Sequence, residues 1–179
     1  LSRVLRSELK EDEKYKSVFI LDPRLTGIAF LQEIAHQLGA DPIPKTKIKI
    51  FHTLHNLFSA NHAAGRHTVL VIDEAQAVRK VDIFEELRLL LNFQLDDAFL
   101  LTIILLGSSE LKAMIAMMPH FMQRMAVRYH LNGLSEHDTK EYVIHRMKVA
   151  GATKAVFAED AYHQIYLASH GVPRRINTI

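Results

Sequence analysis

The chain has 179 residues, of which 49% are hydrophobic and 23% charged, so it can bury the core of one ordinary domain. It has no cysteine, which excludes disulfides and thiolate metal sites, and its net charge of +2 is too small to argue for nucleic acid. No apolar run approaches the roughly 18 residues that a membrane-spanning helix needs.

Hydrophobic spacing predicts helices and strands that alternate as far as residue 131. The predicted helices cover residues 1–10, 26–38, 48–65, 83–95 and 110–117, and the predicted strands cover residues 17–21, 68–72, 99–106 and 126–131. From residue 135 onward only helices are predicted, over residues 135–150 and 158–170 and in a final turn from Pro173. Such alternation is typical of a parallel sheet with helices on both faces. We therefore expect an α/β core followed by an all-helical tail.

Two acids, Asp73 and Glu74, directly follow the strand predicted over residues 68–72, in the run V-L-V-I-D-E-A-Q. Ligands bind at the carboxyl ends of the strands in parallel sheets, and buried carboxylates there are costly unless they meet a cation or water. Asp73 could hold Mg²⁺, and Glu74 could accept a proton from an attacking water. The alternative is a strand end that reaches the surface, with both acids solvated.

The next predicted strand also ends in small polar residues, Gly107-Ser108-Ser109. A strand that lies beside the one before Asp73 would place a hydroxyl near the same ligand. Ser109, followed by E-L-K-A-M, is better explained as an ordinary helix N-cap. For Ser108 both interpretations stay open.

Three arginines are candidates for contact with a phosphate. Arg124 precedes the predicted fourth strand and Arg128 lies within it. An arginine delivered to the phosphate of a neighbouring subunit stabilises charge in the transition state. Arg174 comes in the first turn of the helix that begins at Pro173, where its side chain could lean over a phosphate. The alternative for all three is an ordinary surface position, solvated or in an ion pair.

The order of these parts resembles that of AAA+ ATPases. More narrowly, it resembles the ATPase domain of general secretion pathway protein A-like proteins and of the related transposition ATP-binding proteins. Their joint order and spacing is more specific than any single motif, and they cover most of the chain from residue 17 onward. The segments that carry the resemblance are V-L-V-I-D-E-A-Q, E-E-L-R-L-L-L-N-F, L-L-G-S-S-E-L, R-M-A-V-R-Y-H-L-N-G-L-S, Y-V-I-H-R-M-K-V-A-G-A and G-V-P-R-R-I-N.

The resemblance implies a fold and a function. The implied fold is the P-loop NTPase-like (AAA+) fold, with a five-stranded parallel sheet, helices on both faces and a C-terminal helical lid subdomain. Residues 1–133 would be the nucleotide-binding core and residues 134–179 the lid. The implied function is binding and hydrolysis of ATP with Mg²⁺ in a cytoplasmic protein that assembles with copies of itself.

The resemblance also implies a role for each candidate residue. Asp73 and Glu74 match the Walker B pair, with Asp73 as the Mg²⁺ ligand and Glu74 as the residue that activates water. Ser108 stands at the sensor-1 position, where the family more often has an amide. The arginines take the remaining roles: Arg124 as the arginine finger, with Arg128 as its fallback, and Arg174 as the sensor-2 arginine.

One family motif is absent from the chain. The Walker A loop, G-x-x-x-x-G-K-[ST], holds the phosphates with backbone amides and a lysine, but none of the seven glycines here is followed by lysine. In the family, the helix after this loop stands where residues 1–9 would lie, so the first, central strand is also expected to be missing. Its two neighbours would then have unpaired backbone groups. We expect the full-length protein to be an ATPase and this chain alone to be inactive and to bind ATP weakly.

Two other functions stay open: an ATP-dependent, DNA-binding transposition regulator and a non-catalytic NTPase-like interaction module. The charge pattern does not support DNA binding, because the basic residues form no dense stripe. A protein partner, such as a secretion system, and a position at the inner face of the membrane would depend on segments outside this chain. The scattered basic residues are Lys45, Lys47, Lys49, Arg79, Lys80, Arg174 and Arg175.

Overall fold

A computed structural model describes residues 2–78 and 81–179 and confirms the α/β class. Leu1, Arg79 and Lys80, which figure in the predicted first helix and among the scattered basic residues, lie outside the described residues. The chain forms two compact units, Leu1–Ala126 and Val127–Ile179. The functional boundary predicted after residue 133 stays a prediction.

The elements follow one another in nearly the predicted order. In the first unit the helices are α1 (Ser2–Glu11), α2 (Gly27–Gln37), α3 (Lys47–Ala63), α4 (Val81–Leu90), α5 (Ser109–Ala116) and α6 (Pro119–Met122). The strands are β1 (Tyr15–Ile20), β2 (His67–Ile72) and β3 (Leu101–Leu105). The second unit contains α7 (Glu136–Val149), α8 (Glu159–Ser169) and α9 (Pro173–Ile176).

The three strands form a parallel sheet in the order β1-β2-β3. The central strand β2 is buried from Thr68 to Ile72, because helices cover both of its faces. On one face Phe19, Val69 and Val71 pack against Leu5 and Leu9 of α1. On the other face the larger core includes buried residues of β1, β2, α2, α3, α4 and α5: Val18, Ile20, Leu70, Ile72, Phe30, Leu31, Leu54, Phe58, Leu87 and Leu111. Helices on both faces of a parallel sheet are therefore confirmed.

The fourth strand predicted over residues 126–131 is wrong. The described residues therefore lack one of the four strands expected of this chain, since the first of the five implied strands was expected to be missing. The sheet in the described residues has three strands, and residues 126–131 form no regular element. The side chains of Val127 and Tyr129 are 81% and 85% exposed. This segment has the alternation of a strand, but a strand exists only through ladder hydrogen bonds with a neighbour. No described strand pairs with it.

The helix predicted over residues 83–95 is shorter than expected. It ends at Leu90 and is followed by a turn, in which Phe93 N–H donates to the carbonyl of Leu90 at 3.0 Å. Gln94 then pairs with Phe99 in an isolated antiparallel bridge. The apolar residues after Leu90 therefore belong to a tight return toward β3, which apolar spacing alone does not distinguish from a helix.

The two edges of the sheet differ. On the outer edge of β1, the side-chain amide of Gln37 accepts from Phe19 N–H and donates to Phe19 C=O, both at 3.0 Å. One side chain thus takes the place of a neighbouring strand at that residue. Strand β3 has β2 on one side and no described strand on the other. It is therefore an open edge of five apolar or β-branched residues, L-T-I-I-L.

A buried charge lies where α2, α3 and α4 meet. The Glu86 side chain is 8% exposed, and its Oε1 accepts from the ammonium of Lys47 at 2.6 Å. Its Oε2 is buried with no hydrogen-bond partner among the described residues. A Cβ on Gly27, at the start of α2, would lie 3.3 Å from Glu86 Oε1, so the glycine lets the helix end approach the carboxylate closely.

The second unit has a small core of its own. Val143, Tyr162 and Ile176 bring together α7, α8 and α9. Helix α7 begins after Ser135, whose hydroxyl accepts from Asp138 N–H at 3.1 Å as an N-cap should. Within the described ranges, no helix of either unit combines the length and apolar character that crossing a membrane requires.

Candidate functional site

Asp73 and Glu74 follow the last residue of β2, at the carboxyl end of the parallel sheet. Asp73 N–H donates to Ile20 C=O at 2.9 Å, so this position is fixed to the end of β1. On the other side, Leu106 N–H donates to Ile72 C=O and Ala75 N–H donates to Leu106 C=O, each at 2.9 Å. The ends of all three strands therefore meet, and the residues that follow β3 lie beside those that follow β2.

Glu74 has an unusual backbone conformation. Its φ of 50° and ψ of 39° lie in the left-handed region, which costs a residue with a Cβ about 1–2 kcal/mol. Its N–H donates to Asp73 Oδ1 at 3.0 Å, which supports the turn locally. Strained residues of this kind cluster at functional sites, because the surrounding structure holds a side chain where relaxed backbone would not. Glu74 itself is exposed.

The half-buried carboxylate of Asp73 has no side-chain partner among the described residues. It is therefore free to bind a cation. No described group of three His, Asp or Glu side chains could hold a metal ion together. Mg²⁺ does not need such a group, because it is usually bound through one or two carboxylates, waters and the phosphates of a substrate.

Gln76, which the sequence analysis did not single out, links the two strand ends. Its Nε2 donates to Glu74 Oε2 at 2.6 Å, and its Oε1 accepts from Ser108 N–H at 3.1 Å. A Cβ on Gly107 would lie 2.6 Å from Gln76 Oε1, so a larger residue at this position would displace the amide. The position of Gln76, two residues after Glu74 in D-E-A-Q, was the one available signal.

Ser108, rather than Ser109, is the N-cap residue of α5, so the expected N-cap at Ser109 is wrong. The Ser108 hydroxyl makes no capping bond to the helix and donates instead to the carboxylate of Glu110. This bond, together with the backbone N–H of Glu110, holds the pKa of Glu110 below its ordinary value. The structure thus brings Ser108 to the site through its backbone N–H, and its hydroxyl is directed toward α5.

The three candidate arginines are exposed, and none forms an ion pair with another described residue. Arg124 lies in the turn after α6, where its N–H donates to Phe121 C=O at 3.0 Å. Arg128 lies in no strand, contrary to expectation, because residues 126–131 are unpaired. Arg174 lies in the first turn of α9, as expected. Arg124 belongs to the first unit and the other two to the second.

Comparison with known sequences identifies two relationships. Residues 1–115 match the sequence model of a family described as AAA domain. The whole chain is 35% identical over 183 aligned residues to General secretion pathway protein A of Aeromonas hydrophila, of which it covers 33%. The chain therefore spans about a third of the length of this relative.

Comparison with solved structures identifies the architecture. Two structures of the ORC2 protein of Aeropyrum pernix, described as ADPNP-ADP complexes and as an ADP form, resemble the chain with TM-scores of 0.60 and 0.59. Each alignment covers 94% of this chain and 44% of the ORC2 chain, at 18% identity. At this identity the similarity concerns the fold alone.

Proposed function

Since the chain belongs to the AAA domain family and has the P-loop NTPase-like fold predicted from its sequence, we propose that it serves ATP binding and hydrolysis. The observation that carries the proposal is the pair Asp73–Glu74 at the carboxyl end of β2, beside the end of β3. In this proposal the pair is a Walker B pair. Asp73 binds Mg²⁺, and Glu74 accepts the proton of the attacking water.

The residues of the site are suited to bind the Mg²⁺ ion of Mg-ATP. A half-buried carboxylate at a strand end, with no side-chain partner among the described residues, is a suitable Mg²⁺ ligand, and a neighbouring exposed carboxylate can reach solvent water. Mg-ATP supplies a terminal phosphate that water can attack. The chain has no G-x-x-x-x-G-K-[ST] loop, so we propose that residues outside these 179 hold the phosphates. A further strand that leads to such a loop would pair with the open edge of β3.

The other roles implied by the family resemblance belong to the same proposal. We propose that Ser108 senses the phosphate, that Arg124 reaches the nucleotide of a neighbouring copy, and that Arg174 contacts it from a lid formed by residues 134–179. Arg128 is the alternative to Arg124. An arginine finger requires a self-oligomer, and a cytoplasmic location belongs to the same proposal. The similarity to General secretion pathway protein A suggests a partner in protein secretion.

Isothermal titration with Mg-ATP tests the binding step. The sample is the natural polypeptide that carries this chain, compared with its Asp73→Ala variant. We expect micromolar affinity for the wild type and a loss of about tenfold or more in the variant, since one metal ligand is removed. Asp97→Ala, which removes an exposed acid remote in sequence from the site, should leave the affinity unchanged. No binding by the natural polypeptide would contradict the proposal.

Titration of the 179-residue chain gives a second comparison. We expect it to bind Mg-ATP much more weakly than the natural polypeptide, because it has no phosphate loop. Micromolar affinity of this chain would contradict the assignment of the phosphate contacts to other residues. Binding without hydrolysis in the natural polypeptide would support the non-catalytic interaction module.

A further inference from the structure

We propose that Gln76 is a positioning residue, which holds the carboxylate of Glu74 in a fixed relation to the β3–α5 turn (residues 106–108). The inference rests on the proposed function in one respect, namely that Glu74 is the proton acceptor. In this arrangement the side-chain amide connects the residues that follow β3 to the Glu74 carboxylate that follows β2. Gln76 is not itself proposed to touch the nucleotide.

The first half of the bridge fixes the carboxylate. Glu74 is exposed, so without a partner its side chain would exchange among several rotamers. The Gln76 Nε2 donor, 2.6 Å from Glu74 Oε2, selects one of them and leaves the other carboxylate oxygen free to accept a proton. Gln76 is half-buried and lies in the 3₁₀ turn Ala75–Ala77, which directly follows the strained backbone of Glu74.

The second half of the bridge fixes the amide. Gln76 Oε1 accepts from Ser108 N–H at 3.1 Å. Just before it in the turn, the N–H of Leu106 donates to Ile72 C=O and its C=O accepts from Ala75 N–H. These hydrogen bonds hold the turn against the residues at the end of β2. A Cβ on Gly107 would lie 2.6 Å from Gln76 Oε1 and 2.9 Å from Leu111 Cδ2. The β3–α5 turn therefore sets where the amide, and through it the carboxylate, is placed.

The chemistry of the bridge requires a side chain with one donor and one acceptor. A primary amide offers both, with the donor toward the carboxylate and the acceptor toward the backbone N–H. Glutamate at this position would present acceptors to both partners and repel Glu74. Neutral histidine has one N–H donor and one ring-nitrogen acceptor, so it can restore the bridge in part.

Steady-state ATP hydrolysis by the natural polypeptide tests the functional half. For Gln76→Ala we expect kcat to fall by about tenfold or more, with KM for ATP within about twofold, because the carboxylate is misplaced and the nucleotide contacts are not. Gln76→Glu should be at least as impaired, and Gln76→His should recover part of kcat. Gln94→Ala, an exposed glutamine on another loop, should behave as the wild type. An unchanged kcat in Gln76→Ala would overturn the inference. So would a fall in kcat that is fully explained by an equal fall in the fraction of folded protein.

Hydrogen exchange of the peptide that contains Ser108 tests the bridge without ATP. Gln76→Ala should speed exchange of the Ser108 amide, since its acceptor is lost. Glu74→Ala should also speed it, but the double variant should exchange no faster than Gln76→Ala alone, because both changes act through one amide. An exchange rate of the Ser108 amide that is the same in the wild type and in Gln76→Ala would overturn the inference. If the bridge is seen but the wild type does not hydrolyse ATP, the proposed function fails and with it the positioning role.

Discussion

The side-chain amide of Gln37 makes two hydrogen bonds of 3.0 Å to the backbone of Phe19, one to its N–H and one to its C=O, on the outer edge of β1. The same Nε2 also donates to Glu33 Oε1 at 2.7 Å, which orients the amide. Phe19 is buried at 8% exposure, so its backbone groups have little access to water. The amide therefore satisfies an edge that would otherwise lack partners.

Gln37→Ala should lower the free energy of unfolding by about 1–3 kcal/mol, because it leaves both backbone groups of Phe19 without a partner. Urea unfolding of the chain measures the change. The matched control is Gln123→Ala, since the exposed side chain of Gln123 forms no hydrogen bond with the described residues. Equal stabilities of the two variants would show that the edge contact contributes nothing.

The pair Lys47–Glu86 gives a second prediction. Lys47→Met should destabilise the fold by about 2 kcal/mol, since it leaves the buried Glu86 carboxylate without its counter-ion, although the lysine is itself 46% exposed. Adding Glu86→Gln should recover at least half of that loss, because the uncompensated charge is removed. Urea unfolding of the single and double variants tests both statements. A double variant that is less stable than Lys47→Met would contradict them.

His67 makes the stability depend on pH. Burial, and to a lesser degree the nearby His62, lowers the pKa of His67 from its ordinary value of 6.5. The folded state therefore binds fewer protons than the unfolded state just below that value. This contribution to stability is fully present above pH 6.5 and is lost as the pH falls from there toward the lowered pKa.

The variant His67→Gln measures this contribution, because glutamine cannot titrate but can still reach Thr102 Oγ1, which lies 2.8 Å from His67 Nε2. The difference in urea midpoint between the two proteins should change between about pH 7 and pH 5, with the wild type losing more stability as the pH falls. A difference that is constant over this range would contradict the lowered pKa.

The elements that the sequence predicts best are those whose signal is local. The run T-V-L-V-I predicts a buried strand at residues 68–72. Strand β2 occupies His67–Ile72, and residues 68–72 are all buried. The carboxyl-end position of Asp73 and Glu74 follows from that strand and from parallel pairing. The strand depends on a few neighbouring residues, whereas the position of the two acids also needs the parallel pairing that the alternation of strands and helices predicts.

What the sequence could not predict depends on partners elsewhere in the chain. Residues 126–131 have the alternation of a strand, but whether a strand forms is decided by a neighbour with a free edge. Gln76 likewise bonds both Glu74 and Ser108, and Ser108 lies 32 positions after Gln76 in the sequence. No local pattern shows which way a side-chain amide points, so this contact becomes visible only when β2 and β3 are paired.

The measurement that tests the central claim most directly is ATP hydrolysis by the natural polypeptide and its Glu74→Gln variant, with binding of Mg-ATP measured on both. Glutamine keeps the shape of the side chain but cannot accept the proton of the attacking water. We predict that kcat falls by about a hundredfold or more while the Kd for Mg-ATP stays within about threefold. Hydrolysis by Glu74→Gln at the wild-type rate would contradict the account, because the acid at the end of β2 would then not be the group that activates water.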